Sequence, residues 1–554
     1  MKKTVLTAAV LAIGLSATAQ NWEDGLRFSE NEYEGTARTI AMGNAFTALG
    51  GDMGSLGINP AGSAVARRSQ FTVTPGMNIS IARVQGEVLN DGSVGFGNRL
   101  QNDRSTFSMP NIGGMVNFNT GKSRGLKNWS MGFVVNNTRS YNEDIIARGL
   151  NTRTSAFGEM AARAQYLYGY KPEDFKASRV YDNIYFSDYD LVNAFRAGAI
   201  AGTSFTKDGK TEDAFVGVTE NSTADGRISI GEHGLDQHFG QTVSGAKSDF
   251  VYNLAFNISD VFFFGANVGV TSLNYKSNEF LREDAVDIED VKTDFGTDGS
   301  TYFSSAKKTY SYRAEGTGVY GKFGFILTPW RGLRIGAAIQ TPTAFTIKEK
   351  VSYSCETKFE NSKFNASDTA PEGKFEYNFK APLRANFGVA YTFGKYGVFS
   401  ADYELSNYRK MFFSVPGTSD NSEFDSANNS VLDYCGVQHY LRLGAEFKPV
   451  DFFSVRLGYN LKTAGQTYET DGEGYLVKAP AQNLHTASFG FGFTSGAFFA
   501  DLAAVGYFYP TQYITPYGSY DYTDDTHRSL TTESPIIRYR RNLVKVVATF
   551  GVRF

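Results

Sequence analysis

The chain has 554 residues, among them 58 Gly, 46 Phe and 32 Tyr but only 2 Cys and 3 Trp. A composition this rich in glycine and aromatic residues favours strands and tight turns over helices. The 54 Lys and Arg nearly balance the 57 Asp and Glu, which argues against a nucleic-acid-binding protein.

Residues 1–19 have the pattern of a secretory signal peptide. Lys2 and Lys3 precede an apolar stretch that ends in the small residues Ala17-Thr18-Ala19, as at a cleavage site. The apolar stretch is too short for a membrane-anchoring helix, and no Cys follows it to carry a lipid. We therefore predict an exported protein whose mature chain begins at Gln20.

Residues 20–68 precede the first clear strand and contain the glycine-rich stretch 50–62. The stretch lacks the Lys and Ser/Thr of a phosphate-binding loop and is not preceded by a strand and followed by a helix. Residues 36–49 have a helical pattern that ends at Gly50-Gly51. Because glycine lets backbones approach closely, we predict that residues 20–68 form a compact hatch, or plug, inside a β-structure.

From residue 69 onwards, segment after segment alternates apolar and polar residues, as a strand with two different faces does. The predicted strands are 69–80, 106–119, 128–138, 248–259, 261–275, 316–328, 333–351, 375–393, 397–411, 438–448, 452–461, 485–494, 497–510 and 539–554. The resulting number, about fourteen, is even, as is typical of bacterial single-chain outer-membrane barrels.

The connections between these strands are short at one end and long at the other. The long connections are polar and span 141–247, 276–315, 349–373, 412–436, 463–484 and 511–538. A soluble β-sandwich also alternates but needs short loops at both ends. We therefore predict an all-β protein, with residues 69–554 forming a transmembrane antiparallel β-barrel of about 14 strands in the cell outer membrane of a Gram-negative bacterium.

The predicted inward face carries charged residues and glycines. Its charged members are Lys322, Arg334, Arg384, Asp402, Glu404, Arg442, Glu446, Arg456 and Asp501, and its glycines include Gly336, Gly444 and Gly458. Isolated charges would be costly in a dry core, whereas charges around a lumen can pair across strands. The small glycines leave room for a hatch inside the barrel.

The last predicted strand, "NLVKVVATFGVRF", alternates strictly and ends on the aromatic Phe554. This ending resembles the C-terminal signal that the barrel-assembly machinery reads. We therefore expect that machinery to be a partner during biogenesis, and we expect the assembled barrel to be a monomer surrounded by outer-membrane lipid.

The hatch region resembles a known family. Gly35, Ala37-Arg38, Met42-Gly43-Asn44-Ala45, Asp52 and Asn59-Pro60-Ala61-Gly62 are similar to the N-terminal hatch of the FadL-type outer-membrane transporters. The stretches "LTPWRGLRIGAAIQTP", "ADYEL" and "RLGAEFKPVDFFSVRLGY" resemble hairpins of that family, so that the resemblance spans nearly the whole mature chain.

The resemblance implies a plugged barrel that imports long-chain fatty acids or other hydrophobic small molecules passively. It further implies capture by the extracellular loops, gating by the hatch and lateral release, with no enzymatic activity and no cofactor. The 141–247 loop is larger than the family pattern, which leaves the ligand, and any partner protein of this loop, undecided. A plugged barrel that serves as a scaffold in a secretion or surface-assembly complex is the alternative.

Three groups of residues are the candidate sites. The hatch residues expected inside the barrel, close to the ligand, are Met42, Phe46, Leu49, Met53, Leu56, Ile58, Asn59 and Pro60. The lumen cations that could hold a carboxylate are Arg334, Arg384 and Arg456, unless they pair with Asp402, Glu404 or Glu446. Gly113, Gly114, Asn136 and Asn137 weaken strand pairing and predict a lateral gap, the exit that a ligand gaining about 0.8 kcal/mol per buried CH₂ would favour.

Other patterns carry less weight. Residues 221–232 fit an EF-hand-type calcium loop, with Thr223 where Asp or Asn is usual, or else a polar turn. The five His residues have no metal-ligand spacing, and no Ser/His/Asp arrangement supports an outer-membrane hydrolase, so we predict no metal and no catalytic site. Cys355 and Cys435 both fall near loop ends in an oxidising compartment, and geometry decides whether they form a disulfide.

Overall fold

The computed structural model describes residues 21–88, 95–207, 210–222, 228–470, 475–523 and 529–554. The predicted signal peptide, residues 1–19, lies outside the described residues. Among the described residues, no helix combines the length and the apolar composition needed to cross a membrane.

Fourteen antiparallel strands form a closed barrel. They are β1 (Gln70–Gly86), β2 (Leu100–Asn119), β3 (Leu126–Ser140), β4 (Leu235–Ile258), β5 (Phe262–Ala285), β6 (Ser300–Trp330), β7 (Leu333–Gln340), β8 (Arg384–Phe393), β9 (Gly397–Asn407), β10 (Val437–Val450), β11 (Phe453–Lys462), β12 (Leu484–Ser495), β13 (Phe498–Ile514) and β14 (Ile537–Arg553). Each strand pairs with its neighbours along the chain, and β14 pairs with β1, with Arg553 opposite Gln70. The predicted fold class and strand number are confirmed.

The short connections are tight turns at the end of the barrel where β1 begins and β14 ends. The β4–β5 turn, for example, consists of Ser259 and Asp260, whose φ angles of 57° and 60° match the twist of a hairpin. The last residue, Phe554, lies at the same end and donates its N–H to the carbonyl of Ser69 over 3.0 Å. An aromatic girdle surrounds the barrel near this end and includes Phe71, Phe452, Phe493, Phe498 and Phe550.

At the opposite end the wall continues well beyond the predicted strand ends. β4 and β5 have 24 residues each and β6 has 31. Further strands extend the wall at Glu143–Asn151, Ala344–Phe359, Ala366–Thr369, Gly373–Lys380 and Phe412–Ser414. The outward residues of Ala344–Phe359 and Gly373–Lys380 are mostly polar, as in Lys348 and Glu376, so this part projects beyond an apolar belt. The prediction of loops at 141–151 and 349–359 was wrong. In 349–359 the apolar alternation is missing because the outer face of the strand is polar.

The remaining elements are short and lie in the hatch or in the connections of the long-loop end. The helices are α1 (Trp22–Ser29), α2 (Ala37–Ala41), α3 (Gly62–Val65), α4 (Ala156–Ala162), α5 (Pro172–Lys176), α6 (Tyr189–Arg196) and α7 (Asp425–Tyr434). Single turns of helix occur at Met53–Gly57, Arg163–Leu167, Val180–Asp182, Phe186–Asp188, Gly296–Asp298, Ser362–Phe364, Tyr408–Lys410 and Ser422–Phe424. Short strands occur at Ile200–Lys207, Lys210–Gly217, Glu220–Ser222, Ile228–Ile230, Lys292–Asp294, Tyr468–Thr470, Leu476–Lys478, Tyr520–Thr523 and Ser529–Thr532.

The helices α4 to α6 cover the wall at the long-loop end. Their apolar residues Phe157, Phe175 and Leu191 share one buried cluster with Phe303 of β6 and Cys355 of the strand Ala344–Phe359. The connection predicted at 141–247 thus contains helical segments at 156–167 and in α6, whereas residues 143–151 form a strand.

Candidate functional site

The hatch is a compact segment whose central helix, α2, stops early. α2 ends at Ala41, because Gly43 and Asn44 follow with φ angles of 60° and 58°. The Asn44 side chain stabilises this turn by donating to the carbonyl of Tyr33 over 2.8 Å. The prediction of a helix over 36–49 was wrong beyond Ala41, because close contact with the wall at Gly43 requires a left-handed backbone.

The apolar residues of the hatch lie inside the barrel, where the sequence predicted them. Met42, Phe46, Leu49, Met53, Leu56 and Ile58 are at most 5% exposed. Met42, Phe46, Leu49 and Ile58 pack against Val398 and Tyr440 of the wall. Met53 and Leu56 pack against Met115, Val134 and Val251 on the opposite side. These six residues therefore contact the wall through two separate apolar clusters, and Ile40 and Ala61 of the hatch belong to two more.

Asn59 and Pro60 join the hatch to the wall. The Asn59 amide donates to the carbonyl of Thr47 within the hatch over 2.6 Å and to that of Phe325 in β6 over 3.0 Å. The side-chain carbonyl of Asn59 accepts the N–H of Ala61 over 3.0 Å. The Pro60 carbonyl accepts from the Asn253 amide of β4 over 2.9 Å. The fully buried amide of Asn59 thus stabilises both the fold of the hatch and its position in the barrel.

The polar inward face of the wall satisfies the backbone of the hatch. Wall side chains donate hydrogen bonds to backbone carbonyls of the hatch. The donor and acceptor pairs are Asn117 and Ala66, Asn128 and Ala64, Asn267 and Leu56, Lys322 and Gly57, Arg334 and Leu49, and Ser488 and Ala41. The carboxylate of Asp402 accepts the N–H of Thr47, and the hydroxyl of Thr549 accepts the N–H of Ala37. A segment with so little helix can be buried because the strands supply these partners.

Wall glycines let the hatch backbone lie directly on the strands. A Cβ at Gly444 would overlap the carbonyl of Met42, one at Gly458 would overlap the N–H of Gly43, and one at Gly336 would overlap the carbonyl of Thr47. The inward glycines of the sequence therefore serve close contact with the hatch, not an open space.

The three predicted lumen cations already have partners. Arg384 pairs with Glu404 over 3.0 Å and also donates to the carbonyl of Ser29. Arg456 pairs with Asp501 over 2.5 Å and with Glu446 over 2.6 Å. Arg334 donates to the hatch. These residues hold the barrel and hatch together, as the alternative interpretation of their sequence positions expected.

Helix α1 occupies the mouth of the barrel above the hatch. Phe28 is fully buried in a cluster with Tyr275, Phe379, Met411 and Phe413 from four different parts of the wall and loops. Trp22, at the other end of the helix, packs on Tyr434 of α7 with ring centroids 5.1 Å apart. The mouth is thus an apolar, aromatic chamber that α1 fills.

Two buried carboxyl groups face each other in this chamber. Glu349 accepts from the hydroxyl of Tyr312 over 2.6 Å and from that of Tyr377, and its second oxygen has no partner among the described residues. Burial raises the pKa of Glu349, and the carboxylate of Asp24 in α1 raises that pKa further. Burial likewise raises the pKa of Asp24. The seating of α1 therefore favours protonated carboxyl groups.

A cavity of about 170 Å³ lies beside α1, between β11 and β13. Leu26, Leu484 and Pro510 form apolar walls, and Arg139 and Lys462 supply cations. Arg139 pairs with Glu30 and, over 3.3 Å, with Glu32. Within the described residues, Lys462 is buried and its ammonium donates no hydrogen bond. Lys462 was missed from the sequence, although it continues the inward alternation of Arg456, Gly458 and Asn460.

The barrel has a seam between β2 and β3, where the strand ladder stops. Pairing runs from Asn119 opposite Asn128 up to Asn111 opposite Asn136. β2 continues for eleven more residues, from Pro110 to Leu100, but pairs there only with β1. Pro110, the residue adjacent to the last paired residue Asn111, has no N–H to donate. On the other strand, β3 has a register shift between Asn137 and Arg139.

The lateral gap predicted at Gly113 and Gly114 requires a correction. These residues pair regularly with Val134 and Phe133, and Gly113 is glycine because β3 passes too close for a Cβ. Asn136 forms the last pair, and Asn137 is the first residue beyond it. The opening of the ladder therefore begins beyond the Asn111–Asn136 pair, three residue pairs further on than Gly113.

Side chains close the seam where backbone pairing is missing. Arg104 donates over 2.9 Å both to Asp144 and to the carbonyl of Val243. The Asn102 amide donates to the carbonyl of Ile146 over 3.3 Å, and that of Asn142 to the Thr106 hydroxyl over 3.4 Å. Behind these contacts lies a buried apolar cluster with Ile145, Ala147, Phe96, Phe239 and Tyr539. The seam thus separates an apolar interior from the outer surface by a few polar contacts.

The remaining sequence patterns do not form sites in the described part of the chain. Residues 223–227 of the calcium-loop pattern lie outside the described residues. No group of three or more His, Cys, Asp or Glu that could hold a metal occurs among the described residues. Cys355 and Cys435 are both buried free thiols, so they form no disulfide.

No protein-family model and no curated protein matches the chain. Among solved structures, the chain is similar to a Pseudomonas aeruginosa FadL homologue, with 11% identity, a TM-score of 0.46 and coverage of 94% of this chain and 99% of that one. It is similar to the toluene transporter TodX of P. putida at 10% identity and a TM-score of 0.46, with the same coverage. The toluene transporter TbuX of Ralstonia pickettii matches at 12% identity and a TM-score of 0.45, again over 94% and 99% of the two chains. At these identities and scores the likeness carries no argument about function, which depends on the chain's own geometry.

Proposed function

We propose that this chain is an outer-membrane channel for the passive uptake of hydrophobic small molecules, long-chain fatty acids among them. The observation that carries the proposal is the seam between β2 and β3, where the ladder stops at Asn111 and Asn136 and only side-chain contacts continue toward the long-loop end, the last of them in front of a buried apolar cluster. A pore for polar solutes has no use for an opening toward lipid. A hydrophobic solute gains about 0.8 kcal/mol for each CH₂ that reaches the bilayer.

The outer surface supports placement in a membrane. Large apolar side chains stand exposed along consecutive strands, for example Phe264 in β5, Phe323 in β6 and Phe387 in β8. In water such a contiguous surface would be a severe aggregation liability, whereas in a bilayer it is the lipid-facing band of a barrel. The ending on Phe554 agrees with delivery by the barrel-assembly machinery, and the closed ladder agrees with a monomer.

Capture takes place in the mouth. The chamber around Phe28 already holds an apolar side chain, so it suits the tail of a hydrophobic ligand that replaces α1. The cavity of about 170 Å³ is smaller than the roughly 300–1,000 Å³ of typical ligand pockets, so that movement of α1 has to enlarge it. For a fatty acid, Lys462 supplies a buried cation that donates no hydrogen bond to the described residues, although Glu30 and Glu32 lie near enough to interact with its charge.

The route from the mouth leads to the seam. Tyr141 belongs to the aromatic cluster around α1 and lies in the chain directly after β3. Its hydroxyl donates to the carbonyl of Arg27 at the end of α1 over 3.4 Å, so displacement of α1 loosens the segment beside the seam. The hatch below, held by Asn59 and the wall, closes the alternative path into the periplasm.

A disulfide across the seam tests this proposal. The side chains of Thr106 and Asn142 approach to 3.4 Å across it, so T106C with N142C should form a crosslink under oxidation. The matched control is V116C with M131C, a directly paired position on the same two strands below the seam. Uptake of labelled oleate and of labelled toluene is measured in cells that carry each variant, oxidised and reduced.

We expect oxidation to abolish uptake in the seam variant, with recovery on reduction, and to leave the control unchanged. Full uptake with the seam crosslink formed would refute lateral release. Absence of oleate and toluene uptake even in the wild-type protein would instead favour the scaffold alternative. Preference for one of the two solutes would define the substrate class.

A further inference from the structure

Four arginines form a patch on the outer wall at the long-loop end of the barrel. Arg83 of β1 lies opposite Arg540 of β14, and Arg538 lies opposite Gln85 one outward position higher. Arg99 precedes β2 and completes the patch, which lines an open groove of about 660 Å³ with Gln101 and Thr511. All four arginine side chains are exposed. Strand pairing therefore assembles cations from three separate parts of the chain.

The patch carries charge that the protein itself does not neutralise. Arg538 pairs with Glu87 over 2.9 Å, and Arg83 donates to the uncharged Gln101 over 3.1 Å. Arg99 and Arg540 form no ion pair with any residue in the described ranges. Like charges that face each other across strands are destabilising, so the Arg83–Arg540 pair is unfavourable unless an anion joins it.

The height of the patch on the wall identifies the level at which an anion would bind. Phe550 of β14 belongs to the aromatic girdle at the short-turn end. From Phe550 to Arg540 the strand climbs about 25 Å along the barrel axis, for a rise of ~3.3 Å per residue and a tilt of ~40°. That climb equals the height of the apolar band of such barrels, about 25 Å.

On β1 and β14 most outward residues below the patch are apolar, whereas on β2 the exposed carboxylate of Asp103 lies opposite Ile81. Ile81 and Ile79 follow Arg83 down β1, and Val544 and Val546 follow Arg540 down β14 after Asn542. The arginines thus begin where the apolar band ends, on the side of the long loops. A molecule that fits both surfaces has a phosphorylated headgroup at the level of the arginines and acyl chains along the isoleucines and valines.

From this arrangement we infer that Arg83, Arg99, Arg538 and Arg540 form a binding site for the phosphorylated headgroup of a lipid in the outer leaflet. Guanidinium groups bind phosphate in bidentate fashion, and two facing arginines can share one phosphate. The site is separate from the channel mouth, the hatch and the seam. The inference rests on the outer-membrane placement proposed above, but not on transport.

The test compares matched charge variants by native mass spectrometry of the purified, detergent-solubilised barrel. The probes are bis-phosphorylated lipid A, the same lipid without phosphates, and inorganic phosphate. The patch variant is R83Q with R540Q. The control is K348Q with K374Q, which removes two exposed cations at the same end of the wall. Heat-modifiable mobility on gels establishes that each variant is folded, and oleate uptake is measured separately.

We expect wild-type and control barrels to bind the phosphorylated lipid equally and the patch variant to bind it roughly thirtyfold more weakly, from about 1 kcal/mol per basic residue at a membrane surface. We expect the unphosphorylated lipid to bind the wild type as weakly as the phosphorylated lipid binds the patch variant. Equal binding of the two lipids, or equal losses in patch and control variants, would overturn the inference. Inorganic phosphate that binds as tightly as the lipid would overturn the lipid as the source. Loss of oleate uptake alone would bear on the proposed transport and not on this site.

Discussion

Replacement of Glu446 by Gln should loosen the hatch without opening the barrel wall. Glu446 of β10 is 5% exposed and accepts from Arg38 of α2 over 2.8 and 3.1 Å and from Arg456 of β11 over 2.6 Å. It is the carboxylate that joins a hatch cation to a wall cation. Glutamine has the same shape but no charge, so both arginines lose their shared counter-ion.

The free-energy cost of Glu446→Gln depends on which carboxylate partners Arg38 and Arg456 retain. Removing one partner of a buried ion pair costs about 3–5 kcal/mol. Arg456 retains Asp501 at 2.5 Å and Arg38 retains Asp52 at 3.8 Å, which favours the lower end of the range. Because the backbone ladder of β10 does not involve this side chain, the cost falls on the contact between hatch and wall. A cost of about 3 kcal/mol raises the population with a displaced hatch roughly 150-fold.

The assay is single-channel recording in planar bilayers, with limited proteolysis of residues 21–68 as a second measurement. We expect Glu446→Gln to show frequent brief openings and faster cleavage of the hatch at an unchanged heat-modifiable mobility. The control is Glu315→Gln, which removes an exposed carboxylate paired with Arg313 and should change neither readout. Openings as rare as in the wild type, together with unchanged proteolysis, would refute the assignment of Glu446 as a hatch anchor.

Three further outcomes are expected. Gly458→Val places a side chain against the hatch backbone at Gly43, so the melting temperature should fall by the equivalent of about 1–3 kcal/mol, and an unchanged melting curve would contradict the close contact. Because the pKa of Glu349 is raised above its ordinary 4.5, docking of α1 should be strongest below pH 4.5 and should weaken as the pH rises through the raised pKa. Trp22 fluorescence should follow this change. Glu349→Gln should abolish the pH dependence if the seating of α1 depends on the Glu349–Asp24 pair. Deletion of Phe554 should lower the amount of folded barrel in outer membranes, and normal levels would argue against an assembly signal.

Much of the fold could be predicted because a barrel strand is specified locally. Each strand crosses the bilayer with one face in lipid, so the apolar residues of a segment such as 250–258 must alternate whatever the rest of the chain does. The fourteen strands and the polar inward face follow from that alternation and from the short turns. The wall beyond the belt was missed for the same reason, because strands such as Ala344–Phe359 have polar residues on the outer face and lack the pattern.

The candidate site was predictable in its residue types but not in its partners. That Arg384 and Arg456 face inward follows from alternation, whereas their pairing with Glu404 and Asp501 depends on which strands lie side by side. The seam begins at Pro110 and Asn137 rather than at Gly113, because a glycine can either weaken a ladder or admit a close neighbour.

The sequence by itself determined the class of the protein: an exported, plugged β-barrel whose strands, turns and inward charges are written in local periodicity. The tertiary structure alone decided the seam, the burial of Lys462 beside α1, the burial of α1 in the mouth and the patch around Arg540. Each of these is a juxtaposition of residues far apart in the chain. Strand register and close packing create such juxtapositions, and a periodic pattern records which face a residue occupies but not which residue it meets there.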